Sequence, residues 1–236
     1  MSDDRPYEGK ELELFAHARN WKRYWSRSIR SHVGKSVLEV GAGLGTNTPY
    51  LLSAAQENWL CLEPDGALTE QISATLATHP QRGIVRTRTG MLRDLAPDEL
   101  FDTILYIDVL EHIEDDTGEM RLALTHLAVG GKIIVLSPAQ PGLYTEFDRA
   151  LGHFRRYTRA SLKACTPLVA RLVEIYALDS FGLLASVANK ILLHQSMPTA
   201  KQIAFWDGWL VPVSRVTDPV IGFSLGKSLI AVWEKA

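Results

Sequence analysis

A doubly wound α/β fold around a mostly parallel sheet is the class this sequence predicts, on three observations. Strand-like and helix-like segments alternate from Lys35 to Pro138, the signature of βαβ units on a parallel sheet. The first strand-like run ends in a glycine-rich loop, LEVGAGLGTN (Leu38 to Asn47), as the first βα unit of such sheets does. The 236 residues are 46% hydrophobic, enough for one sizeable core with an appended subdomain.

The elements follow in order. Ala18, Trp21, Trp25 and Ile29 recur at three- and four-residue spacing, which predicts one amphipathic helix over Gly9 to His32. KSVLEVG is a β-branched run stopped by glycine, a buried strand. Thr46 to Ala55 reads as the helix after it, Asn58 to Glu63 (NWLCLE) as a second strand and Asp65 to Thr78 as a second helix. Gly83 to Arg88 is a third strand and Phe101 to Asp108 (FDTILYID) a fourth. Asp116 or Thr117 caps a helix running to about Leu127. Gly130-Gly131 then turns the chain into KIIVLS, a fifth strand.

After Pro138 the pattern changes. A polar, aromatic loop leads to a helix over Arg159 to Leu168 and a strand over Arg171 to Leu178. Asp179 to Gly226 has no clean periodicity, and a connection that long is functional or carries helices of its own. Lys227 to Lys235 (KSLIAVWEK) reads as the last strand.

Composition excludes several classes. The net charge of -2 gives no broad electrostatic footprint for nucleic acid. Cys61 and Cys165 are too few for a disulfide framework and sit in no metal-type cluster, so buried reduced thiols are expected and no metal site is. The acidic, polar start MSDDRPYEGK is unlike a signal peptide, and no apolar run reaches the ~18 residues of a spanning helix. The expectation is a cytoplasmic protein with no stable membrane insertion.

The glycine loop carries the first chemical clue. Gly41 and Gly43 let the backbone approach a ligand closely, but the third glycine of a dinucleotide fingerprint is replaced by Thr46, and Gly45 stands elsewhere. Glu39 would repel a pyrophosphate, whereas an amine or sulfonium would attract it. Glu63 ends the second strand about twenty residues beyond the loop, where an acid accepts hydrogen bonds from ribose hydroxyls. A ribose without a diphosphate, next to a positive charge, describes S-adenosylmethionine.

LEVGAGLGTN resembles motif I of the class I S-adenosylmethionine-dependent methyltransferases. Four further segments stand in that family's order. LEPD (Leu62 to Asp65) resembles the ribose-binding motif, Gly90-Met91-Leu92 the adenine-flanking segment, and DVLEHIEDD (Asp108 to Asp116) the motif after the fourth strand. LAVGGKIIVLSPA (Leu127 to Ala139) is similar to the L-x-P-G-G segment before the fifth strand, with Val129 where proline is usual. The resemblance implies a Rossmann-like seven-stranded sheet, its last strand inserted antiparallel, in a single domain over 1–236. An N-terminal helical cap over 1–34 and a helical lid over 179–226, between the last two strands, complete it. It also implies cofactor contacts from Glu39, Gly41, Ala42, Gly43, Gly45, Glu63, Pro64, Gly90, Met91, Leu92, Asp108 and Val109, and S-adenosylhomocysteine as product.

In the resembling proteins the Glu111-His112 pair lies beside the transferred methyl. His112 could take a proton from an acceptor, and so could His153. Tyr144, Arg155, Arg156 and Tyr157 join His153 on the loop after the fifth strand, where they can bind an anionic or carbonyl-bearing acceptor. The GHxRRY segment, Gly152 to Tyr157, recurs in methyltransferases similar to quinone-biosynthesis methylases. Tyr7, Asn20 and Tyr24 are further candidate contacts from the N-terminal helix. Leu183, Leu184, Ile191, Leu192, Phe205, Trp206, Trp209 and Leu210 make the lid apolar, which suits a hydrophobic small-molecule acceptor. A nicotinamide-dependent oxidoreductase and a methyltransferase-like binding protein without turnover are the competing readings. Acceptor identity, the methylated atom and oligomeric state are not fixed by the sequence.

Overall fold

Seven strands form one sheet in the order β3-β2-β1-β4-β5-β7-β6. The strands are β1 (Ser36–Val40), β2 (Asn58–Glu63), β3 (Val85–Thr89), β4 (Phe101–Ile107), β5 (Leu127–Pro138), β6 (Ala170–Leu178) and β7 (Ser228–Lys235). The computed structural model describes residues 10–190 and 198–236; Tyr7, Ile191, Leu192 and His194 lie outside them. β1 pairs in parallel with β2 and β4, whereas β7 runs antiparallel to both β5 and β6. Both faces of the sheet are covered, so the central strands are apolar on both sides. Leu38, Leu60, Ile104 and Ile133 pack on one face, and Val37, Trp59, Leu105 and Ile134 on the other.

Three elements differ from expectation. The N-terminal segment is two helices, α1 (Lys10–Ala16) and α2 (Arg19–Ile29), with a 3-10 turn after α2. The break at Ala18 is held from far away in sequence: Asp207 accepts hydrogen bonds from the main-chain N–H of Asn20 (3.1 Å) and Trp21 (2.8 Å). Those are first-turn donors that a helix cannot satisfy itself. Next, the expected helix over Thr46 to Ala55 is only a 3-10 turn, Thr48–Tyr50. Thr48 turns its hydroxyl to Glu39 (2.7 Å), and Gln56 accepts from Ser53 N (2.8 Å), local bonds that compete with a helix. Finally, Gly130-Gly131 lies within β5 rather than ahead of it: the strand spans Leu127–Pro138, and its pairing with β4 shifts between Phe101↔Leu127 and Thr103↔Lys132, where Gly130 takes φ +74°.

The remaining connections are short helices: α3 (Gly66–Thr75), α4 (Asp116–Thr125), α5 (Glu146–Ala150) and α6 (Arg159–Ala164). Between β6 and β7 stand α7 (Ser180–Ala188), α8 (Ala200–Phe205) and α9 (Val211–Val220), with a π-helical turn, Trp206–Leu210, joining the last two. Among the described residues no helix is long and apolar enough to cross a membrane.

Two buried aspartates tie this lid to the sheet. Asp179, at φ +69°, caps α7 through Gly182 N (3.0 Å) and accepts from Trp206 Nε1 (2.7 Å) and Ser214 Oγ (2.9 Å). Asp218 accepts from Tyr24 Oη (2.8 Å) and from the N–H of Asp179 (2.7 Å) and Ser180 (3.1 Å). Truncation of Asp218 leaves three donors without an acceptor, each a loss of about 1–3 kcal/mol when buried. Asp218→Ala is therefore expected to lower stability by about 3 kcal/mol or more in urea denaturation, and Asp218→Asn by less.

Candidate active site

The glycine loop is drawn onto the end of β2. Gly41 N and Ala42 N both donate to Leu62 O (2.8 and 3.2 Å), and Gly43 N donates to Glu63 Oε2 (2.8 Å). Glu63 Oε1 accepts from Asp65 N (3.1 Å). Two main-chain bonds leave a carboxylate about two lone-pair sites for further donors. Burial pushes the Glu63 carboxyl up, against the two N–H groups. Gly41 has φ +64°, and a Cβ there would stand 2.7 Å from Val109 Cγ2.

Above the loop lies a cavity of about 220 Å³. Leu12 and Phe15 of α1 and Trp21, Lys22 and Trp25 of α2 form its roof, and Trp206 and Lys227 close the lid side. Lys22 was missed in the sequence, although it follows Ala18 by four residues and so lies on the apolar stripe. Its ammonium donates to Thr46 Oγ1 (2.6 Å). Burial brings its pKa down to about 8, opposed mainly by Asp108. Asp108 ends β4 in the left-handed region, at φ +55°, and lines the cavity. More than a third of its surface is open, yet desolvation by the surrounding residues pushes its pKa up to about 6 against His153, Lys227 and Lys22.

The far wall carries the two histidines. The rings of His112 and His153 meet edge to face, centroids 4.5 Å apart. Burial, and then His153, bring His112 down to about 4, so it is neutral near pH 7. His153 Nδ1 stands 3.2 Å from Asp148 Oδ1. Arg156 grips that carboxylate with both Nε (2.7 Å) and Nη2 (3.0 Å). Asp148 is raised by burial but held well below the ordinary carboxylate range by its hydrogen bonds from His153 and Arg156. Glu111, noted in the sequence only as the neighbour of His112, is fully buried on this wall. Its Oε2 accepts from Ser137 (3.0 Å), and its Oε1 has no hydrogen-bond partner among the described residues.

Glu111, His112 and His153 offer donor atoms within 4.8 Å of one another, a combination that could take a metal ion. Ligands of one tetrahedral ion stand about 3.4 Å apart at bond lengths near 2.1 Å, so binding would require the cluster to tighten.

Several expected contacts are engaged elsewhere. Glu39 turns from the cavity and accepts from Thr48 (2.7 Å) and Trp59 Nε1 (3.0 Å). Gly45 faces Ile72, outside the cavity lining. Arg155 pairs with Asp116 (2.6 Å), and the Tyr157 hydroxyl donates to the same carboxylate (2.8 Å), so neither reaches the cavity. Tyr144 donates to His153 O (2.5 Å), and Asn20 and Tyr24 serve lid acids. Pro64, Gly90, Met91 and Leu92 lie beyond the cavity rim; Gly90 N is held by Glu63 O (3.0 Å) and Met91 N by Asp94 (2.7 Å). Of the expected substrate contacts, only Arg156 lines the cavity.

The comparisons with known proteins agree with this fold. A family model described as a methyltransferase domain matches residues 15–167. No curated protein matches the chain. The fold is similar to that of geranyl diphosphate C-methyltransferase from Streptomyces coelicolor A3(2), solved with Mg2+, geranyl diphosphate and S-adenosyl-L-homocysteine. That pair has TM-score 0.67 at 12% identity, covering 99% of this chain and 86% of the other. It is also similar to the N-methyltransferase NodS from Bradyrhizobium japonicum WM9 with S-adenosyl-l-homocysteine (TM-score 0.55, 15% identity, 99% and 89% covered). The [4+2]-cyclase SpnF has the fold too (TM-score 0.62, 13% identity, 96% and 94% covered).

The loop geometry separates two substitutions. A Cβ on Gly43 meets only Leu12, at 3.5 Å, so Gly43→Ala carries the left-handed penalty alone, about 1–2 kcal/mol. Gly41→Ala adds a collision with Val109 and is expected to destabilise clearly more. Chemical denaturation of the two variants checks the order.

Proposed function

The chain belongs to the methyltransferase-domain family, and from that premise we propose that it methylates a small acceptor with S-adenosylmethionine, the acceptor's protic group lying at His112 and His153. The observation that carries this reading is one cavity bounded by a bare glycine backbone, a cation and an anion on one side and two histidines on the other. The residues present fit the cofactor. The Gly41 backbone faces the cavity with no room for a side chain, Glu63 keeps acceptor capacity for ribose hydroxyls, and Lys22 and Asp108 offer opposite charges to an amino-acid zwitterion. When bound, the cofactor supplies a methyl group activated by its sulfonium. Ala42 and Val109 border the same loop. Pro64, Gly90, Met91 and Leu92 are assigned to the adenine side, and Glu39 acts behind the loop through Thr48.

The chain's own residues then orient the acceptor and move one proton. Positioning of this kind supplies up to ~7–11 kcal/mol of barrier reduction. With Nδ1 of His153 turned to Asp148, its Nε2 is left to accept the proton of a hydroxyl acceptor. Asp148 and Arg156 hold that ring in place and do not themselves exchange protons. The roof tryptophans exclude water. We assign 1–34 as a cap and 179–226 as a lid within one domain over 1–236. A second, apolar chamber of about 600 Å³ adjoins the first across Phe15, Phe147 and Trp206, which supports a hydrophobic acceptor.

The test is mass spectrometry of a metabolite extract incubated with the protein and deuteromethyl-labelled S-adenosylmethionine, where a labelled product is expected. Tight cofactor binding with no label transferred would instead favour a member of the fold without methyl transfer. Glu63→Gln is expected to weaken S-adenosylmethionine binding roughly 10–100-fold by calorimetry, as loss of charged hydrogen bonds does. Unchanged affinity would remove the ribose assignment. His153→Asn is expected to keep cofactor affinity and lower turnover of a hydroxyl acceptor roughly 10²–10⁴-fold.

A further inference from the structure

The lid rod formed by α8, the π turn and α9 is apolar on both faces. Its inner face packs Ile203, Trp206 and Val211 into the core. Its outer face presents Phe205 (56% exposed), Trp209 (70%), Val213 (40%), Val216 (67%) and Val220 (83%). Those five positions advance by four, four, three and four residues, so they form one stripe along the rod. A helix apolar all round is covered on all sides in its working state. Single exposed apolar residues are ordinary; a continuous stripe with two aromatic rings is not.

Charge identifies what covers it. The rod has two acids, Asp207 and Asp218, and both are turned inward, one onto the N–H groups opening α2 and the other onto Tyr24 and the start of α7. Its two basic residues, Lys201 and Arg215, are exposed. The outer face is therefore apolar and positive with no negative group, although the whole chain has a net charge of -2. An apolar stripe with aromatic residues and flanking cations is the pattern of a helix lying in a lipid interface. A second copy of the same face would bring like charges together. The lid side also holds the apolar chamber, and Phe205 and Lys201 line it as well as the outer surface.

We propose that the outer face of residues 200–220 docks reversibly on an anionic bilayer surface, without spanning it. The surface is independent of the methyl-transfer reading, and its test uses no activity. The full-length protein would be sedimented with vesicles of phosphatidylcholine alone and with one-third phosphatidylglycerol. Binding to the anionic vesicles is expected, falling at high salt as the screening length shortens. Trp209→Glu and Val216→Glu, each checked for native circular dichroism, are expected to lower vesicle affinity at least tenfold. A double Lys201→Glu, Arg215→Glu variant is expected to lose the anionic preference, by at least roughly 30-fold for two lost surface cations at about 1 kcal/mol each. No sedimentation with either vesicle, or stripe variants that bind like the parent, overturns the proposal. So does a dimer in analytical ultracentrifugation that the same variants dissociate, which would assign the stripe to a second copy.

Discussion

The structure depends on three main-chain N–H groups. Gly41, Ala42 and Gly43 all donate to the last two residues of β2, so the loop is bent over the strand ends rather than left to follow its own sequence. That bend turns the bare backbone of the loop toward the cavity and opens the space that Lys22 and Asp108 line. It also explains why no full helix need follow. In many doubly wound sheets the helix after the first strand presents its N-terminus to the ligand. Here the segment after the loop is a single 3-10 turn, and the holding force comes from the neighbouring strand. Glu63 thus ties two segments at once: Oε2 closes the loop through Gly43 N, and Oε1 holds Asp65 N at the start of α3.

Buried carboxylates in this chain divide into ties and site groups, and hydrogen-bond partners decide which is which. Glu39, Asp116, Asp179, Asp207 and Asp218 accept from donors of neighbouring elements and hold those elements together. Asp148 is intermediate: it is gripped by Arg156, yet it also faces a histidine on the cavity wall. Glu111 is different, because one of its oxygens has no acceptor duty among the described residues. A buried, half-satisfied carboxylate is costly unless something completes it.

Legibility in the sequence followed the range of the interaction. Strands were readable because β-branched and apolar runs report their own burial; β2 was bounded to the residue. The glycine loop was readable because positive φ is a local steric demand. Non-local partners were not. Nothing near Ala18 announces that Asp207, far along the chain, ends one helix and starts another. Nothing in Gly130-Gly131 announces that Leu127, ahead of it, also pairs with β4. The GHxRRY loop gives the sharpest case. It was read as a cluster pointing one way, but the segment is extended, with Tyr157 bridged to Ala139. Side chains of an extended chain alternate, so Arg155 and Tyr157 go to Asp116 while Arg156 goes to Asp148.

The same loop sets how the two histidines are held. Because Asp148 takes the guanidinium in two hydrogen bonds, the pair presents the ring with little net charge and a fixed acceptor for Nδ1–H. His112 sits against that ring and away from bulk water, which favours its uncharged form. Lys22 on the roof and Lys227 on the lid side are both set against Asp108, and the histidine wall carries the Arg156–Asp148 ion pair. On the function proposed above, an acceptor with one protic group and an apolar body would lie with the protic end at the histidines and the body toward Phe147 and the lid chamber.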